Sequence, residues 1–122
     1  MVKKGKKLLI IDDEKDICYF EKTYFKKKGF EVLTAYTGTD GINIAKSKKP
    51  DAAIIDIHLS KGMDGLEVLQ KLHTVLPSCK CVMVTWDKEK AREAKELGAV
   101  SFITKPTDIK DLEKAVNKAA GE

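Results

Sequence analysis

Apolar positions along the chain fall into short blocks separated by stretches of helical period. The blocks are Lys7–Ile11, Glu31–Ala35, Ala52–Asp56, Cys81–Val84 and Val100–Ile103. Each is short, rich in apolar and β-branched residues, and reads as a strand. Between them, Ile17, Phe20 and Tyr24 recur on one helical face, with Gly29 as the stop. Thr37 with Asp40, and Asp64 with Glu67, have the spacing of capped helix starts. After the second start, Leu69, Leu72 and Leu76 form one stripe that Pro77 ends. The stretch "DKEKAREAKELGA" offers only Ala91, Ala94 and Leu97 to a core, so it is expected to pack lightly. Ile109, Leu112, Val116 and Ala119 make the stripe of a last helix, with Thr107 as its expected N-cap.

This alternation amounts to five β-α units, which predicts a doubly wound parallel α/β sheet with helices on both faces. The third block, "AAIID", is apolar on both sides, as a central strand requires. Ligands of such sheets bind beyond the carboxyl ends of the strands. Asp12 and Asp13 follow the first strand, Asp56 closes the third, Thr85 follows the fourth, and Thr104, Lys105 and Pro106 follow the fifth. With the first and third strands adjacent, three carboxylates converge on one rim, near Thr85 and Lys105.

Carboxylates so gathered repel unless protonated or bridged by a cation. Their hard oxygens suit Mg²⁺. A neutralised Asp56 would keep an oxygen free to attack phosphorus, with Mg²⁺, the Lys105 ammonium and the Thr85 hydroxyl each able to meet a phosphoryl oxygen. Each feature has a plainer reading by itself. Asp12, Asp13 and Glu14 read as helix-capping acids, Thr85 as a strand end and Lys105 as a surface lysine. Asp56 has no such excuse, because an unpaired carboxylate closing a buried strand is costly, and the four together favour chemistry.

Composition narrows the field. The chain has 122 residues, 43% hydrophobic and 34% charged, which fits one globular domain spanning 1–122. No apolar run approaches the roughly 18 residues of a membrane span, and the basic start "MVKKGKKLLII" is too short in its apolar part for a signal peptide. A cytoplasmic protein without membrane attachment is expected. Net charge is +4, but Arg92 is the one arginine among the basic residues, so direct nucleic-acid binding is not expected. Cys18, Cys79 and Cys81 lack metal-ligand spacing and read as reduced core or surface residues.

In order and separation, "LLIIDDE", "PDAAIIDIHL", "MDGLEVL", "VMVT" and "SFITKP" resemble the receiver domain of bacterial response regulators over essentially the whole length. The resemblance implies a flavodoxin-like fold with strand order 2-1-3-4-5 and five helices. It implies that Asp56 is the phosphoacceptor in two-component signalling. Asp13 and Asp56 would bind Mg²⁺ directly, Asp12 through water, and the backbone carbonyl of His58 would be a further ligand. Thr85 and Lys105 would hold the phosphoryl group, a cis Lys105–Pro106 bond would be present, and Thr85 and Phe102 would form the switch. The donor would be a histidine kinase or histidine phosphotransfer protein, docking near Ile17, Cys18 and Glu21. The response would be read by a downstream protein on the face made by the fourth helix, fifth strand and fifth helix. Such a chain modifies only itself and is not an enzyme. A stand-alone regulator is preferred over a domain of a longer chain.

Departures from the family pattern are visible. "DIHLSKGMDG" has one residue more than usual between Asp56 and Gly65, with Ser60 where proline is common. Trp86 follows Thr85 where a small residue is typical, and is expected to narrow the site. His58 and Asp87 flank the site, Asp87 reading first as a helix N-cap. Three rivals remain open. A flavodoxin-like electron carrier would need a phosphate-cradling loop where Asp12, Asp13 and Glu14 stand. An aspartyl-nucleophile phosphohydrolase would need an acid where His58 stands. The third is a receiver that never takes phosphate.

Overall fold

Every residue of the third block is buried, and the fold is built outward from it. A computed structural model describes residues 5–121; the basic start at 1–4 and Glu122 lie outside the described residues. The elements run β1 (Lys7–Ile11), α1 (Lys15–Lys27), β2 (Glu31–Ala35), α2 (Gly38–Lys48), β3 (Ala52–Asp56), α3 (Gly65–Val75), β4 (Lys80–Thr85), α4 (Ala91–Glu96), β5 (Ser101–Thr104) and α5 (Ile109–Ala119). All strand pairs are parallel, in the order β2-β1-β3-β4-β5. The expected topology is therefore present.

Side chains of one strand alternate between two cores. Leu9, Ile11, Ile55 and Met83 face Leu69 and Leu72 of α3 and Ala94 of α4. Leu8, Ile10, Ile54, Val82 and Val84 face Phe25 of α1 and Leu112 and Val116 of α5. At roughly 25 cal/mol per Å² of apolar surface removed from water, these two layers supply the main driving force for the fold. The caps form as expected at Thr37, whose hydroxyl accepts from the Asp40 N–H, and at Asp64, which accepts from the Glu67 N–H. Gly29 and Gly98 end their helices at φ +101° and +104°, where a side chain would be strained.

Local expectations failed at four places. On α1 the buried residues are Cys18, Glu21 and Phe25, while Phe20 is 56% exposed. Two stripes overlap on this helix, and apolarity selects the wrong one because the inward stripe carries a carboxyl. The N-cap of α5 is Asp108, which accepts from the Lys110 N–H at 2.8 Å, and not Thr107. β5 starts one residue later than expected, with Val100 half exposed at the edge of the sheet. β4 includes Thr85, which pairs with Thr104. The light packing of the fourth helix is as expected: a single 3₁₀ turn at Lys88–Lys90, capped by Asp87, leads into a six-residue α4 with Ala94 as its one buried residue.

Gly65 is required by close approach. A Cβ there would sit 2.2 Å from the Asp56 carbonyl oxygen and 2.4 Å from the Ile57 Cα. Backbone cannot yield as a side chain can, so Gly65→Ala is expected to lower stability by about 2 kcal/mol or more in urea unfolding. At Gly41 the clash is with the tip of Ile11, at 2.4 Å, which can rotate. Gly41→Ala is expected to cost less than half as much, and equal losses would contradict this assignment.

Candidate functional site

Two chain segments end at one rim of the sheet and bring three carboxylates together. Asp12 and Asp13 follow β1, and Asp56 is the last residue of β3, which pairs with β1. One oxygen from each of the three lies within 4.8 Å of the others. Asp12 and Asp56 are each 5% exposed, and Asp13 is half-buried.

Each carboxylate is held by a backbone donor. Asp12 Oδ1 accepts from the Glu14 N–H at 2.9 Å, Asp56 Oδ1 from the His58 N–H at 3.0 Å, and Asp13 Oδ2 from the Ser60 N–H at 2.8 Å. Burial pushes Asp12 up to about 6; the Glu14 N–H opposes the rise and neighbouring Asp56 adds to it. Asp13 lies below the ordinary carboxylate range, chiefly through hydrogen bonding from Ser60.

The cation of the site is Lys105. Its Nζ donates to Asp56 Oδ2 at 2.9 Å and lies 3.8 Å from Asp12 Oδ2 and 3.7 Å from Glu14 Oε2. Burial pulls the ammonium's pKa down, but its bond to Asp56 and the surrounding acids outweigh that and hold it above its ordinary value. The β5–α5 connection is fixed by the Lys105 N–H, which donates to the Thr85 carbonyl at 2.8 Å, and the Lys105–Pro106 bond is cis. Thr85 is wholly buried, and its Oγ1 accepts from the Asp87 N–H at 3.1 Å.

The expected site residues thus gather at one rim, with Phe102 apart from them. Phe102 is half-buried on β5, opposite Met83 in register, beside a cavity of about 320 Å³ lined also by Ala91, Lys95 and Ala99. The His58 side chain is exposed and its Nε2 lies 4.0 Å from Asp87 Oδ2. Trp86 is 67% exposed, so its indole stands at the rim and is not packed down over Thr85. A larger cavity of about 570 Å³, between α2 and α3, holds none of these groups.

Residues 8–117 match the response regulator receiver domain. The chain belongs to that family. This receiver is 30% identical, over 93% of each chain, to the sporulation initiation phosphotransferase F of Bacillus subtilis (strain 168). It is also similar to a CheY-like response regulator receiver domain protein from Methanospirillum hungatei JF-1, with 30% identity, TM-score 0.89, and coverage of 95% of this chain and 94% of that one. A receiver domain protein from Clostridium thermocellum matches with 30% identity and TM-score 0.87 over 93% of each chain. Receiver domains take phosphoryl groups from histidine kinases or phosphotransfer proteins and are phosphoacceptors, not turnover enzymes. No helix among the described residues is long and apolar enough to cross a membrane.

Two features of the receiver were not legible beforehand. Glu14 caps no backbone N–H with its side chain and instead faces Lys105; a residue beside two aspartates gives no sign of which role it takes. Behind the site, Cys18 Sγ donates to the Asp12 carbonyl at 3.2 Å, and burial pushes the thiol up to about 12, so it stays protonated. One turn further, Glu21 is 5% exposed, and its Oε1 has no partner among the described residues. Burial first, and then the charge of Asp12, push Glu21 from 4.5 to about 7.

An acid whose pKa rises on folding resists ionisation in the native state. Its contribution to stability is intact below about 4.5 and is lost as pH rises to about 7. Glu21→Gln is therefore expected to match the wild type near pH 4 and to exceed it at pH 8, by up to about 3 kcal/mol at roughly 1.4 kcal/mol per pH unit. Urea unfolding at the two pH values checks this, and a pH-independent difference would contradict it.

Proposed function

We propose that this receiver accepts a phosphoryl group on Asp56 from a histidine kinase or histidine phosphotransfer protein, and answers by changing the face made by α4, β5 and α5. The observation that supports this most directly is the pairing of Asp56 with Lys105 at 2.9 Å inside a cluster of three carboxylates. The donors fit Mg²⁺: they are hard oxygens, and the nearby Cys18 thiol is protonated and turned to a carbonyl. Asp12, Asp13 and Asp56 would hold the ion, with the His58 backbone carbonyl as a further oxygen. When bound it would offset the carboxylate charge and polarise phosphoryl oxygens.

The protein's own groups do the rest. An Asp56 oxygen attacks the phosphorus of a phosphohistidine; the P–O bond forms as the P–N bond breaks, and imidazole leaves. The Lys105 ammonium, charged and on a flexible stem, moves from Asp56 to a phosphoryl oxygen. Thr85 Oγ1 already accepts from the Asp87 N–H, so its own proton is available for the phosphoryl group. As Thr85 moves, Phe102 gains room to swing inward, and the two side chains form one two-state element. The cavity beside Phe102 and the light packing of α4 make that side of the fold the easiest to remodel.

On the donor side, Cys18 and Glu21 are too buried to be touched. The available flank of α1 is Ile17, half-buried, with Tyr19 and Phe20 exposed at 74% and 56%. Aromatic residues in such positions are frequent anchors of protein interfaces. No nucleic acid or membrane is part of this reading.

The decisive experiment is exposure to acetyl phosphate with Mg²⁺, followed by intact mass. The wild type is expected to gain about 80 Da, one phosphoryl group, with no gain in Asp56→Asn or after chelation of the metal. A gain that persists in Asp56→Asn would overturn the assignment. Sustained phosphate release from a phosphomonoester would point instead to a phosphohydrolase.

A further inference from the structure

Ser60 stands where receivers commonly carry proline, in a loop one residue longer than usual. Proline has no N–H to give. Here the Ser60 N–H reaches back across the site and donates to Asp13 Oδ2 at 2.8 Å, joining residues 47 apart in sequence. Among the three carboxylates, Asp13 is the most exposed and the only one whose backbone donor comes from another segment of the chain: Asp12 and Asp56 take theirs from two residues further on. Without Ser60, an aspartate at this rim would be free to turn into water, away from its repelling neighbours.

We propose that the Ser60 backbone N–H is a positioning group for cation binding, holding one Asp13 oxygen so that the other is presented to the ion. This rests on the phosphoacceptor reading above. It assigns a role to the lengthened loop: the extra residue lets the chain between Asp56 and Gly65 fold over the rim and bring a donor to Asp13. The loop is then coupled to the ion as well as to the phosphoacceptor, since the His58 N–H, two residues earlier, donates to Asp56. Groups that orient a ligand in this way commonly change metal affinity by about 10- to 100-fold when removed. A short, charge-assisted bond of this kind is the sort that fixes a carboxylate.

Two variants separate the N–H from the side chain. Ser60→Pro removes the N–H and the hydroxyl; Ser60→Ala removes the hydroxyl alone. Mg²⁺ titration by calorimetry is expected to show affinity falling by about 10-fold or more in Ser60→Pro, with Ser60→Ala much closer to the wild type. Because proline can disturb the loop for other reasons, hydrogen exchange of the metal-free wild type gives an independent reading. The Ser60 amide is expected to be protected, and to lose that protection in Asp13→Ala. Equal affinity of Ser60→Pro and wild type overturns the proposal, as does an equal loss in both Ser60 variants, or a Ser60 amide that exchanges like an open loop. If the wild type binds no Mg²⁺, the phosphoacceptor reading falls with it; if it does and Ser60→Pro is unaffected, only the role of Ser60 falls.

Discussion

Three carboxylates and one ammonium share a buried rim, and that imbalance governs the molecule. With all three ionised, the cluster of Asp12, Asp13 and Asp56 against Lys105 carries a net charge of −2, from three negative groups and one positive. Burial first, and the charge of Asp56 after it, push the Asp12 carboxyl to about 6, and the surrounding acids hold the Lys105 ammonium above its ordinary value even though it is buried. Removing one partner of such a buried pair commonly costs about 3–5 kcal/mol. Such an excess of negative charge is the kind that added positive charge would stabilise.

The fold makes this imbalance tolerable. β1 and β3 are adjacent and parallel, so the residues that follow them emerge side by side. The apolar lengths of those strands anchor the acids from below, in two cores that face opposite ways. Backbone N–H groups of Glu14, His58 and Ser60 then hold the three carboxylates in place. Gly65 lets α3 start against the Asp56 backbone, so the end of β3 that carries Asp56 is braced by the helix that follows it.

Much of this could be read from residue order. β1, β2 and β3 begin and end where their blocks do, β1 and β3 as interior strands buried almost throughout and β2 as a half-buried edge strand. At β5 the pattern slipped by one, since an edge strand exposes residues such as Val100 that hydrophobicity assigns to the interior. The gathering of Asp12, Asp13, Asp56, Thr85 and Lys105 followed from their places after strands, which topology alone brings together. What stayed hidden depends on reach in three dimensions. Glu21 lies on a stripe that periodicity passes over, because a carboxyl is not expected to face a core. The Ser60 bond to Asp13 spans distant segments, and only the extra residue and the missing proline hinted that the loop was unusual.

The six-residue α4, resting on Ala94 alone, separates what the protein must conserve from what it can vary. Substitutions on the exposed positions of that helix touch neither the carboxylate rim nor the two main layers of packing. That surface can therefore change by small steps while the carboxylate rim stays intact. A short, loosely seated helix is thus the part of this architecture most open to evolutionary rewiring.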